Sequence, residues 1–341
     1  MSPTASFLER LEEKVEQQLN SQRVGYLLGA GASYLDGKGY PLAGDLWDRI
    51  AAKIRDPERG EIQARLDGGA DGIEQALDLL DDGGATEKAH RYLVTEAIAE
   101  EFRSIVPPLM SHQGFVQRIG RRDELNIPVF TLNYDGLVEN AADAERVRVV
   151  DGFLGIESPF FEPQAFQEQY ALSHRGPRKP QADWIRGVVH LYKLHGSLGW
   201  FDLSPNNVRN LGFLAQTPTG AKRVMVPPQR RKAIETTAPP YAALWSDLRR
   251  LLCHGPNMLN RLAVIGYGLR DEHVNAIIEN ALSRSNFTLL VFAHKLASAV
   301  FTRWSAKKNT VIVTQDQCAL NAEIGPGHPN LWKFEELAGR V

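Results

Sequence analysis

Four short apolar runs, each stopping at a cluster of small or polar residues, constrain this chain more than any other feature. Residues 24–28 break into Gly29-Ala30-Gly31-Ala32-Ser33, and 126–130 into Thr131-Leu132-Asn133-Tyr134-Asp135. Residues 188–200 read as a third strand with a chemically loaded end, His195-Gly196-Ser197 following Leu194, and 262–265 break into Gly266-Tyr267-Gly268. Apolar runs of this length, bounded by turn-forming residues, read as β-strands. Two more follow at 287–293 and 309–314. Helical spacing lies between them: Leu42, Leu46, Ile50 and Ile54 recur every fourth residue after Pro41, and DEHVNAIIENAL follows the fourth run. Strands alternating with helices predict an α/β chain, a Rossmann-like, doubly wound, mostly parallel sheet with helices on both faces. Such sheets bind ligands at the carboxyl ends of their strands, which is where the polar residues sit here.

The 341 residues suit roughly two domains of about 150, or one large domain with insertions. Phe7, Leu8, Leu11, Val15 and Leu19 share one helical face, so residues 1–22 read as a leading amphipathic helix. The plain reading of that face is docking on its own domain. Residues 56–105 are polar, punctuated by Asp and Gly and helical in pattern, which predicts a helical insertion. It would divide the ligand-binding domain into 23–55 and 106–320, with 321–341 left as a C-terminal tail. Residues 155–183 are rich in Pro, Gln and aromatics without a clear period.

Composition narrows the function classes. Lys plus Arg is 39 and Asp plus Glu is 41, and this near balance argues against direct nucleic-acid binding as the main work. No apolar run approaches the ~18 residues of a membrane span. The opening MSPTASFLERLEEKVEQ turns acidic where a signal peptide would be apolar, so a cytoplasmic protein is expected. Cys253 and Cys318 are the two cysteines, too few for a disulfide framework or a four-cysteine zinc module.

Taken singly, the motifs are weak. The dinucleotide fingerprint G-x-G-x-x-G requires a third glycine, and position 34 is Tyr. Close packing alone accounts for a Gly-Ala-Gly turn, Asn and Asp are ordinary turn residues, and a single His is often structural. Gln229-Arg230-Arg231-Lys232 reads as a solvated basic loop, and Trp200, Trp245 and Trp304 as core. Asp271-Glu272-His273 has acids where a helix begins, which complements the helix dipole without any metal.

Taken together and in order, they resemble the sirtuin superfamily, specifically its bacterial sirtuin-like branch. Sirtuins carry GAG-x-S, TQN-x-DGL, LHG and G-(T/S)-S in this chain order. Here the matching residues are Gly29-Ala30-Gly31-Ala32-Ser33, Thr131-Leu132-Asn133-Tyr134-Asp135-Gly136-Leu137, Leu194-His195-Gly196-Ser197 and Ile265-Gly266-Tyr267-Gly268. The departures are as specific. The two Cys-x-x-Cys pairs of the deacylase zinc ribbon are not in the sequence, Leu132 replaces the Gln, and Tyr40-Pro41-Leu42-Ala43-Gly44 stands where deacylases have P-D-F-R.

The resemblance implies that NAD is the substrate, with no zinc expected. Asn133 and His195 would be the catalytic residues, set in loops at the crevice rather than in the core. Asp135 would read the nicotinamide carboxamide, backbone amides from Gly29 to Ser33 would hold the pyrophosphate, and Gly266 and Tyr267 would flank the adenosine. Similar sequences are NAD-consuming antiphage effectors beside HerA-like ATPases or Argonaute proteins. The resemblance therefore implies an NAD+ glycohydrolase, EC 3.2.2-type, acting as a homo-oligomer under control of such a partner. The alternatives are an NAD-dependent protein deacylase, or a non-catalytic NAD or ADP-ribose sensor that scaffolds an ATPase or nuclease.

Overall fold

The computed structural model describes residues 6–70, 72–80, 85–175, 180–204, 207–225 and 239–341. Its centre is a nine-stranded sheet. The strands in chain order are β1 (Val24–Leu28), β2 (Asn126–Thr131), β3 (Val149–Val150), β4 (Val188–Lys193), β5 (Arg261–Ile265), β6 (Thr288–Phe292), β7 (Thr310–Val313), β8 (Gln317–Leu320) and β9 (Glu323–Pro326). Across the sheet they run β9-β8-β7-β6-β5-β1-β2-β4-β3. All neighbours from β7 to β3 pair in parallel, and β8 and β9 add an antiparallel edge.

The unbroken apolar runs follow from burial on both faces, since successive side chains point opposite ways. Tyr26, Leu28, Val129, Ala263 and Ile265 join one core cluster, whereas Leu27, Phe130, Leu262, Val264 and Val291 join the other. The helices on the first side are α1 (Phe7–Leu19), the short α2 (Ala30–Tyr34), α3 (Ala43–Ile50), α4 (Glu58–Asp67), α5 (Gly72–Leu79), α6 (Ala85–Ser104), α7 (Met110–Ile119) and α8 (Leu137–Glu145). On the second side lie α9 (Tyr241–Arg249), α10 (Glu272–Leu282) and α11 (Ser298–Ser305), with Trp200, Trp245 and Trp304 buried there. The result is three layers, helix on sheet on helix.

The leading helix docks on its own domain. Ser6 and Glu9 form a capping box at its start, and Leu11, Val15 and Leu19 are buried in the first core cluster. Between 56 and 105 lie α4, α5 and α6, and Ile62, Ile73, Leu77, Val94 and Ile98 belong to that same cluster.

Two stretches differ from the sequence reading. The run from Val188 to Trp200 is two strands rather than one. It turns at Leu194-His195, and residues 196–202 enter a second sheet with 153–154, 160–161, 208–210 and 222–225. Gly196 makes the turn, with φ +76° and space for no side chain, because a Cβ there would lie 2.2 Å from the Val224 carbonyl oxygen. Residues on both sides of the turn are buried, so burial does not mark where one strand ends and the next begins. The segment read as a C-terminal tail instead supplies β9 and then α12 (Phe334–Leu337), which packs on α7 with Leu331, Phe334, Leu337 and Val341 buried. The basic cluster at 229–232 lies outside the described residues.

Candidate active site

Strand order reverses at β1. The chain runs outward through β2 on one side and through β5, β6 and β7 on the other. The reversal leaves a crevice at the carboxyl ends of β1 and β5, where Leu28 and Ile265 are register partners.

Beyond those partners the two backbones nearly touch. Gly29 N donates to Ile265 O at 2.9 Å and Gly31 N to Gly266 O at 2.8 Å. A Cβ on Gly29 would lie 2.6 Å from Tyr267 Cβ, and one on Gly31 would lie 2.7 Å from Gly266 Cα. Gly266 has φ +67°, and its own Cβ would lie 2.3 Å from Ala32 N. Backbone-to-backbone packing thus requires these three glycines. It also limits the expected pyrophosphate cradle. With Ala32 N donating to Gly29 O at 2.9 Å, three of the five amides from Gly29 to Ser33 are committed inside the protein. Ala32 is fully buried, whereas Ala30 is exposed at the start of α2.

The second strand end is tied to the first through side chains. Asn133 Nδ2 donates to Gly29 O at 2.9 Å and to Ser33 Oγ at 2.8 Å. Ser33 Oγ in turn donates to Asp135 Oδ2 at 2.7 Å. The other Asp135 oxygen accepts from Leu137 N at 3.0 Å, so the carboxylate also fixes the start of α8. Ser33 and Asp135 are buried and Asn133 is half-buried.

The third end joins the second. Leu194 N donates to Thr131 O at 2.9 Å, and Trp245 Nε1 to Leu194 O at 3.1 Å. Lys193, with only 1 % of its surface exposed, pairs with Glu139 at 2.7 Å and donates to the Asp135 carbonyl. His195 is 2 % exposed, and its Nε2 stands 3.6 Å from Asp271 Oδ2. Asp271 belongs to the fourth end. Its amide donates to the Tyr267 hydroxyl at 2.8 Å, and that hydroxyl donates to the Asp271 carbonyl at 3.2 Å. Burial holds the Tyr267 phenol protonated well above the usual tyrosine range.

The four ends therefore close into a ring running Gly266–Gly29, Ser33–Asn133, Thr131–Leu194, His195–Asp271 and back through Tyr267. The candidate site residues Gly29 to Ser33, Asn133, Asp135, His195, Gly266 and Tyr267 lie on this ring or in the turns that support it. Two differences stand out. His195 is buried rather than set in an open loop, and Asn133 bridges two strand ends with its amide. Lys193 and Asp271 escaped sequence reasoning, the first because it is hidden inside an apolar run. The second reads as an ordinary complement to a helix dipole, and its one clue is that it follows a strand end. Beside the Asp135 loop, a groove of about 540 Å³ opens between Tyr40, Leu137, Phe213 and Leu214. Among the described residues no three His, Cys, Asp or Glu side chains are grouped to hold a metal.

The fold and the ring define an α/β protein with a polar crevice at its topological switch point. Residues 128–313, more than half of the chain, match the SIR2-like domain family, and the chain belongs to that family. Similar solved structures include a Sir2 homologue in complex with NAD, 15 % identical, with 96 % of this chain and 91 % of that chain covered and a TM-score of 0.43. Another is a Sir2 homologue mutant in complex with ADP-ribose, 14 % identical, with 96 % and 93 % covered and a TM-score of 0.46. A third is a Sir2 protein bound to a propionylated peptide, 12 % identical, with 97 % of each chain covered and a TM-score of 0.42. No curated protein sequence matches the chain.

Proposed function

We propose that this protein is an NAD+ hydrolase that releases nicotinamide and ADP-ribose. It would serve as a cytoplasmic antiphage effector, acting by abortive infection and switched on by assembly. The observation that carries the reading is the ring, which sets Asn133, Asp135 and His195 around one crevice edge in a SIR2-like domain. Cleavage breaks the bond between C1′ of the ribose and the nicotinamide nitrogen. The electron pair passes to that nitrogen, leaving an oxocarbenium-like sugar. A water then bonds to C1′, and its proton passes through a ribose hydroxyl to His195 and on to solvent.

In this scheme Asp135 accepts from the nicotinamide carboxamide. A carboxylate has about four acceptor sites, so its bonds from Ser33 and Leu137 leave that capacity. The carbonyl oxygen of Asn133 orients the water or a ribose hydroxyl, while its amide nitrogen holds Gly29 and Ser33. In this scheme Ala30, exposed at the lip of the glycine turn, would meet the pyrophosphate, and Gly266 and Tyr267 would flank the adenosine.

A deacylase would use the oxygen of an acyl-lysine, not water, as the nucleophile. Two cysteines cannot build a four-cysteine zinc ribbon, and Tyr40-Pro41-Leu42 replaces the deacylase P-D-F-R stretch. Both features favour water. The test is to supply NAD+ with and without an acyl-lysine peptide, to the protein alone and together with a HerA-like ATPase or an Argonaute protein. Nicotinamide and ADP-ribose without peptide are expected. An O-acyl product formed only when peptide is added would establish the deacylase, and NAD+ bound but never cleaved would establish a sensor. Light scattering is expected to show a homo-oligomer.

A further inference from the structure

We propose that Asp271 is the positioning residue for His195, setting the imidazole in the crevice and balancing the positive charge it takes on when it accepts a proton. The inference rests on the hydrolase reading above.

The His195 side chain keeps 3 % of its exposure and that of Asp271 keeps 11 %, and the closest approach is 3.6 Å from Nε2 to Oδ2. That is too long for a hydrogen bond but well inside ion-pair range. Contacts of this kind often tighten when substrate binds. A buried imidazole that takes a proton without an anionic neighbour loses its hydration with nothing in return, so the protonated form is disfavoured. A carboxylate at this distance offsets that cost. The described neighbours Trp245 and His273 supply no negative charge: the Trp245 ring makes tilted contacts, 6.1 Å from the His195 ring and 4.5 Å from that of His273, and Arg249 stands 3.3 Å from His273.

Asp271 is also held firmly enough to position another group. Its Oδ1 accepts from His273 N at 3.0 Å as the N-cap of α10. Its backbone N–H and C=O both bond to the Tyr267 hydroxyl. The cap thus occupies one oxygen and leaves the other, Oδ2, on the His195 side. A helix cap requires no charge, because Asn and Ser cap about as well as Asp. The charge adds only its small interaction with the helix dipole to what a neutral cap supplies.

That distinction gives the experiment. Asp271→Asn and Asp271→Ser keep a cap and remove the charge, so both are expected to unfold at the wild-type midpoint. Under the proposal their kcat for NAD+ falls ~10²-fold, at the lower end of what a positioned base contributes, with KM little changed. Wild-type kcat in both variants would reduce Asp271 to a cap, and a change confined to KM would make it a substrate contact; either result overturns the proposal. A second readout needs no turnover. The ring-nitrogen signals of His195, assigned with His195→Gln and recorded without NAD+ by imidazole 15N NMR, should differ between wild type and Asp271→Asn. Identical signals would overturn the pairing even if NAD+ is consumed. Altered signals in a protein that never cleaves NAD+ would keep the pairing and refute the hydrolase reading.

Discussion

Ser33 Oγ donates to Asp135 Oδ2 at 2.7 Å, joining the turn after β1 to the loop after β2 across 102 positions of sequence. Both side chains are buried, and Asn133 Nδ2 completes the link by donating to the same hydroxyl. A bond so placed makes the shape of the crevice depend on one small side chain.

Ser33→Ala is expected to destabilise the fold by about 1–3 kcal/mol, because Asp135 loses a donor and Asn133 an acceptor in a buried setting. Urea unfolding measures the cost. NAD+ cleavage should fall with it, since Asp135 is then free to reorient. A variant as stable as wild type would show that the link contributes nothing to folding.

Asn133→Ala and His195→Ala should each remove at least ~10² of the NAD+ cleavage rate. Asn133→Ala also breaks the bonds to Gly29 O and Ser33 Oγ, and through those lost hydrogen bonds it should lower the unfolding free energy by about 1–3 kcal/mol. Parallel denaturation and steady-state assays on the two variants check this.

Lys193→Met tests the buried pair behind the loop. The lysine is almost wholly buried, but the Glu139 side chain keeps 29 % exposure. The expected loss is about 1–3 kcal/mol, below the ~3–5 of a pair buried on both sides. Adding Glu139→Gln should recover part of it, and a double-variant cycle by chemical denaturation would measure the coupling.

Acid should weaken the fold through two histidines outside the crevice. Burial pushes His112 on α7 and His190 on β4 down to about 4 from an ordinary value of 6.5. Both stay neutral in the native state where the unfolded chain already takes up protons. Their contribution is therefore full above pH ~6.5 and is lost as pH falls toward ~4, on the order of 3 kcal/mol each. His112→Phe, which packs against Phe334 in place of the imidazole, should flatten the acid limb of stability against pH. An unchanged limb in that variant would refute the assignment for His112.

Much of this architecture is written in local sequence. Val24–Leu28 is apolar at every position because a parallel strand is covered on both faces, so the run announces both the strand and its burial. Leu11, Val15 and Leu19 announce a docked helix in the same way, by their spacing. The positions of Asn133, Asp135 and His195 at strand ends follow from where the apolar runs stop. Tertiary structure decided what those residues touch. The amides of Gly29 and Gly31 face the β5 end because strand order reverses there, and no local pattern encodes the neighbour of a strand. Gly196 turns the chain because the Val224 backbone leaves no space for a Cβ, a contact set from elsewhere in the fold. Asp271 reads locally as an acid complementing a helix dipole, and in the structure it caps that helix. Only the close approach of the fourth strand end to the third brings its second oxygen to His195. Periodicity reports which side of an element is buried, whereas a site assembled from four separate strand ends exists only once the sheet has ordered them.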